Sequence, residues 1–288
     1  MPASHKNQSP TGASVTKGIG ICILILIVLL VVSMAFNATN LATIQRQYLG
    51  WNYFSHILMI VFGVGAIAIQ RADFGSYGFT LRNWRYDLSV AVMCIIMAAG
   101  FIPSLIYPPI VGNKPVNALF EVAANLLTLG FVATKKNPIK SEGVKPGLII
   151  SSLTPFIIII NATNTGVDLG LISSTIIFMF FFTGLGEEIL FRGYLQTRLN
   201  EVFGRPWKFK DVSFGPGLLI SSALFGVLHL FNPFNPFMGS YDLDPWWAIS
   251  SSFAGLLFGF IREKTGTVLS ASLAHGLVDI GQVIPLLL

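Results

Sequence analysis

The stretch IIFMFFFTGLGEEILFRGY, at Ile176–Tyr194, decides the fold of this chain. It opens on a continuous apolar run, which is followed by two adjacent carboxylates, Glu187 and Glu188, and by the guanidinium of Arg192. A charge at the centre of a bilayer costs at least ~2.5–3.5 kcal/mol, so membrane proteins keep such groups where they face a polar interior and have partners. The stretch therefore predicts a membrane helix that carries part of a polar site.

Two later stretches repeat this combination of apolar sequence and isolated ionisable residues. SALFGVLHL (Ser222–Leu230) contains His229, and SLAHGLVDI (Ser272–Ile280) contains His275 and Asp279. Carboxylates, an arginine and imidazoles inside apolar helices are more typical of a reaction site than of scaffolding. We expect the three helices to bring these side chains together in one cavity within the membrane.

The composition of the chain is that of a polytopic membrane protein. Hydrophobic residues make up 53% of the 288 residues and charged residues 11%, whereas soluble domains carry about 25% charged residues. With ~20 apolar residues per spanning helix, we expect an all-α fold of eight to nine transmembrane helices around a polar intramembrane cavity. Cys22 and Cys94 lie in apolar runs without a C-x-x-C pattern, which indicates core residues.

Nine apolar runs are candidate spans, and a polar tail precedes them. Residues 1–16 are rich in Pro, Gly and Ser, which predicts a disordered tail. The first apolar run is long for a signal peptide and lacks a convincing small-residue cleavage site, so we predict that it is retained. The spans are predicted at 18–36, 52–69, 88–107, 117–134, 147–162, 169–198, 216–231, 246–261 and 267–287.

The basic residues are distributed unevenly between the two sides of these spans. When alternate connections are assigned to opposite sides and Arg192 is left out as intramembrane, 15 lysines and arginines fall on one side and only Arg46 and Lys114 on the other. Cytosolic loops carry the excess of positive charge, so we predict a cytosolic N-terminus and an external C-terminus. This distribution explains the net charge of +5 without nucleic acid as a partner. The larger set is Lys6, Lys17, Arg71, Arg82, Arg85, Lys135, Lys136, Lys140, Lys145, Arg198, Arg205, Lys208, Lys210, Arg262 and Lys264.

The spacing within each helix determines which ionisable side chains share a face. Glu188 and Arg192 are four residues apart, so they can pair on one face, whereas Glu187 is rotated by about 100° and points elsewhere. His275 and Asp279 are also four residues apart and can face the same cavity.

The order of three short motifs resembles that of the type II CAAX prenyl-protease family, also called the CPBP or abortive-infection family of intramembrane proteases. The resemblance covers roughly residues 170–286, and it implies a multi-helix membrane fold with a conical polar cavity open to the cytosol. The motifs are Glu-Glu-x-x-x-Arg (Glu187, Glu188, Arg192), Phe-x-x-x-His (Phe225, His229) and His-x-x-x-Asp (His275, Asp279).

By position, the resemblance implies that Glu187 and His229 activate a water molecule and that His275 and residue 279 hold the oxyanion. Family members of the eukaryotic type have Asn at the last position, where this chain has Asp279. An ionised Asp accepts hydrogen bonds and donates none. We therefore expect Asp279 to act when protonated or by orienting His275.

Together these features predict a multi-pass cell-membrane endopeptidase with its site in the cytosolic half of the bilayer. We expect a peptide or protein substrate, lipidated or otherwise membrane-bound, and no required cofactor. Residues 17–165 are expected to form N-terminal transmembrane helices, and residues 166–288 the catalytic core of the type that the resemblance implies. The predicted site residues are Glu187, Glu188, Arg192, His229, His275 and Asp279.

Three alternatives stay open on the sequence alone. Glu187, His229 and His275 could give a zinc ion two imidazoles, one carboxylate and an open position for water, although no H-E-x-x-H helix is present. The same groups could form the proton relay of a proton-coupled transporter. The chain could also be a non-catalytic immunity or scaffold protein.

Two ionisable residues outside the motifs have separate expectations. His56 lies near Trp51, and we assign it to the membrane interface and not to catalysis. Glu121 shares a helical face with Asn117 and Asn125. We expect it to line the cavity or to pair with another helix.

Overall fold

The computed structural model describes residues 12–98, 113–135 and 168–287, and these residues are mostly helical. Before the motif region lie α1 (Gly12–Asn37), α2 (Asn40–Leu49), α3 (Tyr53–Ile69), α4 (Trp84–Ala98) and α5 (Lys114–Thr134). The motif region contains α6 (Leu169–Phe203), α7 (Pro216–Leu230), α8 (Pro245–Thr265) and α9 (Val268–Leu287), with a 3-10 turn at Pro236–Met238.

Polar side chains and prolines set the starts of several helices. Asn52 begins α3 by accepting a hydrogen bond from the backbone N–H of Phe54, and Asp244 begins α8 by accepting one from Trp247. Such side chains satisfy donors that have no partner within the first helical turn. The first turns of α5, α7 and α8 contain proline, which lacks that donor and suits this position.

Three helices among the described residues are long and apolar enough to cross a membrane. They are Gly18–Asn37 of α1, the whole of α5 and the whole of α6. The pair α2 and α3, bent by 104° at the break between them, counts as a fourth candidate if it is one span. The helices α7 and Val268–Ile280 of α9 are apolar but shorter.

The predicted total of eight to nine spans is not confirmed and stays a prediction. The run at 147–162 lies outside the described residues, and the run at 88–107 is described only as far as residue 98. The helix α8 agrees in position with the run at 246–261, but its serines and charged last turn keep it out of the candidate spans. The helix α1 begins at Gly12, inside the tail predicted for residues 1–16.

Two elements depart from the sequence-based prediction. The helix α2 is amphipathic and exposes Leu41, Ile44 and Tyr48, a spacing that places them on one face. A two-stranded antiparallel hairpin, β1 (Trp207–Phe209) and β2 (Val212–Phe214), follows α6. The all-α prediction is therefore corrected to a helical fold with one short hairpin, which alternating aromatic residues could have indicated.

The connections gather at two opposite ends of the helix bundle. At the basic end, the Lys264 ammonium near the end of α8 donates to the backbone oxygen of Lys135 after α5 (2.8 Å) and lies 3.1 Å from Oδ1 of Asp211 in the hairpin. Gly18, near the start of α1, packs against Val202 near the end of α6. The basic end therefore joins the start of α1 to the ends of α5, α6 and α8.

At the opposite end of the bundle, α1 ends and α5 and α8 begin. It is called the cavity end, because the cavity described in the next section adjoins it. Asp244 accepts a hydrogen bond from the Lys114 ammonium at 2.6 Å, which links the starts of α8 and α5. This ammonium holds the pKa of Asp244 below its usual range. Asn235, between α7 and α8, donates to a backbone oxygen near the end of α1, and the Trp51 indole, between α2 and α3, donates to Thr175 in α6.

Candidate active site

The middle of α6 is wound as a π-helix, over Phe178–Glu187 and again over Ile189–Gln196. Turns of this kind are rare and occur frequently at functional sites. Two glycines here allow close helix contacts, because a methyl group at Gly184 would lie 2.7 Å from the Cα of Gly276 in α9, and one at Gly186 would lie 3.2 Å from the backbone of α3. The paired glutamates therefore lie where α6 closely approaches both α3 and α9.

The side chains of the two motif glutamates, Glu187 and Glu188, have different neighbours. Glu188 is fully buried, with Oε2 lying 3.2 Å from Nε of Arg192 and Oε1 lying 3.0 Å from Nδ1 of His275. The predicted pair between Glu188 and Arg192 is thus present. The same carboxylate also connects Arg192 to the third motif, so Glu188 bridges α6 and α9.

Arg192 is buried among aromatic rings beneath the cavity. Its guanidinium carbon lies 4.5 Å from the centre of the Phe225 ring, within the range of a cation–π contact. Its Nη2 donates to the backbone oxygen of Gly255 in α8 at 3.2 Å. Arg192 consequently ties α6 to α7 and α8.

Glu187 lies between two imidazoles. Its Oε1 is 3.3 Å from Nε2 of His56, and its Oε2 is 3.9 Å from Nε2 of His275. Only 4% of Glu187 is exposed, so the carboxylate depends on these neighbours for polar contact. The side chain of His56, for which the sequence favoured a role at the membrane interface, points into the site from the first turn of α3.

The tautomer of His229 follows from a contact within its own helix. Its Nδ1 lies 2.8 Å from the backbone oxygen of Phe225. Because a carbonyl oxygen only accepts, Nδ1 carries the proton, and Nε2 of the neutral ring is left as an acceptor. The Phe225 ring packs against His229 and His275, with centroids 4.6 and 5.9 Å away. Phe225 therefore fixes the positions of both imidazoles.

His275 is held by an aromatic ring and by carboxylates. It stacks on Phe258, with centroids 4.5 Å apart and an angle of 20° between the planes. Its Nδ1 faces Glu188, while its Nε2 lies 3.4 Å from Oδ2 of Asp279. Both nitrogens can donate to carboxylates at once only when the ring is protonated.

A cavity of about 910 Å³ adjoins these groups, a size within the ~300–1,000 Å³ range of ligand pockets. Glu187, His229, His275 and Asp279 line it, whereas Glu188 and Arg192 lie behind its wall. Glu121 also lines the cavity, which agrees with one of its two expected roles. The six predicted site residues therefore divide into four that face the cavity and two that support them.

Comparison with known proteins gives a family match over the motif region. Residues 170–281 match the family described as Type II CAAX prenyl endopeptidase Rce1-like. This region is Rce1-like. No curated protein and no solved structure matches the chain. Because the Rce1-like family consists of membrane proteases, the predicted classes of hydrolase, protease and CAAX protease are confirmed.

The Rce1-like region contains all six predicted site residues, but the cavity also takes residues from outside it. His56 belongs to α3, and Asn117, Glu121 and Asn125 belong to α5. A sequence signal for His56 existed, since it is an ionisable residue inside the apolar stretch YFSHILMIVF. The same criterion selected His229 and His275.

In this structure the side chains considered above as zinc donors, those of Glu187, His229 and His275, do not form a group that could hold a metal. Within the described ranges, no three His, Cys, Asp or Glu side chains are grouped so that they could hold a metal. A zinc site needs its donors to converge on one position. Here His56 and His275 approach different oxygens of Glu187, and Nε2 of His275 is nearer to Asp279.

The cavity adjoins the end of the bundle at which α1 ends and α5 and α8 begin. Its lining includes Asn232, Asn235 and Trp247 from the connection between α7 and α8. The helix α1 begins at the basic end, beside Val202. The predicted cytosolic N-terminus and the predicted cytosolic opening of the cavity therefore refer to opposite ends of the bundle, and both stay predictions.

Proposed function

We propose that the protein is an intramembrane endopeptidase in which Glu187 activates the water molecule that attacks a peptide bond. The observation that carries this proposal is the position of Glu187, on the cavity wall between the Nε2 atoms of His56 and His275. A base used in catalysis must lie within reach of a bound reactant and be held in place by other groups. The Rce1-like family supports the same reaction class.

The proposed hydrolysis needs no cofactor, because water and the side chains of the site account for every bond and proton. The water oxygen bonds to the carbonyl carbon of the substrate while Glu187 takes the water proton. The carbon–nitrogen bond then breaks, and Glu187 returns the proton to the departing amine. Nε2 of His229 accepts a hydrogen bond from the water, and protonated His275 donates to the oxyanion, as such stabilisation requires. The products are a carboxylic acid and an amine.

Glu188, Arg192 and Asp279 have supporting roles in this proposal. Glu188 contacts Nδ1 of His275 and so orients the ring that faces the substrate. Arg192 balances the charge of Glu188 behind the cavity wall. Asp279 accepts from Nε2 of His275 until substrate arrives, which keeps the imidazole protonated without requiring Asp279 itself to donate.

His56 is proposed to position Glu187. We expect His56→Leu to slow hydrolysis by about 10²-fold, the loss typical of a slightly misplaced reacting group. His56→Gln keeps an N–H donor of similar reach and should recover most of the rate. The measurement is the rate at which cleaved membrane proteins appear, followed through their new N-termini. Ile57→Ala, at an exposed neighbouring position, is the matched control.

If the Gln variant of His56 folded normally and were as slow as the Leu variant, a hydrogen bond to Glu187 would not be what His56 contributes. Normal rates in both variants would remove His56 from the site altogether.

Metal analysis distinguishes the proposed metal-free protease from the zinc-dependent alternative. We expect the purified protein to contain far less than one zinc per chain and to keep its activity in a strong chelator. One zinc per chain that leaves together with activity, and restores it on return, would support the metalloprotease instead. No observation favours proton-coupled transport or a non-catalytic immunity role over hydrolysis.

We further propose the nine-span topology with a cytosolic N-terminus, residues 17–165 forming the N-terminal helices and 166–288 the catalytic core. Lys135 lies at the basic end, and Thr175, near the start of α6, lies close to the cavity end. A span over 147–162 requires its two flanks to lie at opposite ends in this way. The uneven distribution of basic residues supports the orientation.

A further inference from the structure

We infer that the active site is reached from the non-cytosolic side of the membrane and that its substrates are polypeptide segments on that side. This inference rests on the proposed function, but it uses different observations. It also replaces the cytosolic opening that the family resemblance implied.

The first observation is where the bundle carries its basic residues. Among the described lysines and arginines outside the bundle interior, only Arg46 and Lys114 lie at the cavity end, and Lys114 is neutralised there by Asp244. An excess of Lys and Arg in short loops marks the cytosolic side. The described members at the basic end are Lys17, Arg71, Arg82, Arg85, Lys135, Arg198, Arg205, Lys208, Lys210, Arg262 and Lys264.

The loop between α3 and α4 belongs to the basic end through direct contacts. The guanidinium of Arg262 donates to the backbone oxygen of Ser76 at 3.4 Å, and the backbone N–H of Val268 donates to that of Gly78 at 3.0 Å. Every described connection that carries several basic residues therefore meets at one end of the bundle.

The second observation is a packed layer between the cavity and the basic end. Leu190, Phe191, Tyr194 and Leu195 of α6 have no exposed surface, and they form one cluster with Phe225 of α7. Cores of this kind are packed as densely as organic crystals. The four α6 residues follow Glu187 towards the basic end and none of them lines the cavity, as expected if the described part of the cavity is closed on that side.

The third observation is the character of the two ends. Trp246 and Trp247 are exposed at the cavity end, as expected of residues at headgroup depth. At the basic end, the hairpin exposes Trp207 and Phe209 beside Lys208. Aromatic residues beside lysine suit an interface with anionic lipid, and the cytosolic leaflet is the anionic one.

The cavity wall indicates how a polypeptide would be held. Asn117 and Asn125 of α5 and Ser250 and Ser251 of α8 line the cavity as a polar strip. Amide and hydroxyl groups can both donate to and accept from an extended backbone. A non-cytosolic segment next to a membrane span would reach this strip from the cavity end and present its backbone to Glu187.

The test is labelling of single cysteines with a membrane-impermeant maleimide in intact cells. Cys22 and Cys94, both buried, are first replaced by alanine. Asp242→Cys reports on the cavity end, Ala254→Cys on the cavity and Ser213→Cys on the basic end. Asp242 and Ser213 are exposed, and Ala254 lines the cavity.

We expect Asp242→Cys and Ala254→Cys to be labelled in intact cells, and Ser213→Cys to be labelled only after permeabilisation. The reverse pattern would overturn the inference, and so would labelling of all three or of none in intact cells. Labelling in detergent confirms that each cysteine is present and reactive. Because the assay needs no turnover, the same result is expected in a Glu187→Gln background. The labelling therefore tests the orientation of the protein independently of the mechanism proposed for Glu187.

Discussion

Replacement of Glu187 by glutamine is expected to reduce hydrolysis by ~10²–10⁴-fold, the contribution of a positioned general base. Glutamine keeps the size of the side chain and can still contact the imidazoles of His56 and His275, but it cannot take a proton from water. The protein should therefore fold normally and retain its cavity. The measurement compares the rate of appearance of new N-termini in membranes that contain the wild-type or the variant protein.

The control for this experiment lies on the same helix. Glu201 is at the basic end of α6, where its side chain is 42% exposed and pairs with Arg198. Glu201→Gln makes the same chemical change away from the cavity and should leave the rate unchanged. Near-normal turnover in the Glu187 variant, at equal protein levels, would rule out Glu187 as the base.

Loss of the Arg192 charge is expected to have the largest effect on stability. Arg192→Met should lower the free energy of unfolding by ~3–5 kcal/mol, because the buried carboxylate of Glu188 loses its arginine partner and keeps only the contact with His275. Adding Glu188→Gln to this variant should restore part of the loss, since the double variant no longer buries a carboxylate without its arginine. Unfolding is measured on purified protein in detergent or bicelles.

The exposed pair on α6 provides the comparison. Glu201→Gln should change the free energy of unfolding by no more than ~1 kcal/mol, because exposed ion pairs contribute little. An equally small change in Arg192→Met would show that the buried pair does not stabilise the fold. If the double variant were less stable than either single one, the two charges would not act as a compensating pair.

The local parts of the site could be predicted because they depend on spacing along one helix. The pairs Glu188–Arg192 and His275–Asp279 are four residues apart, and both are close in the structure. The polar face of α5 was visible in the same way, and Glu121 does line the cavity. Such contacts follow from the period of a helix and need no knowledge of its neighbours.

The contact between His56 and Glu187 could not be predicted in this way. The two residues belong to α3 and α6, and only the packing of these helices brings them within 3.3 Å. The π-helical winding of α6 likewise had no sequence signal that we recognise. The amphipathic α2, in contrast, could have been found, because Leu41, Ile44 and Tyr48 repeat with the helical period.

The predicted orientation of the chain and the predicted opening of the cavity conflict with each other. Charge counting placed the N-terminus in the cytosol, and family resemblance placed the opening there too. Neither inference states at which end of α1 the cavity lies. Only the contacts of the ends, such as Gly18 with Val202 and Asn235 with the end of α1, make the conflict visible.

The close contact between Gly184 and Gly276 determines the distance between α6 and α9 at the site. With no side chains between α6 and α9 at this point, main-chain atoms set the separation of the two helices that carry Glu187, Glu188 and His275. Rotamer changes cannot alter this separation. In the proposed mechanism the reacting groups therefore keep a fixed spacing, while the asparagines, serines and tryptophans nearer the cavity end have side chains that can change rotamer. The proposed hydrolysis and the proposed recognition of a polypeptide thus depend on separate parts of one cavity.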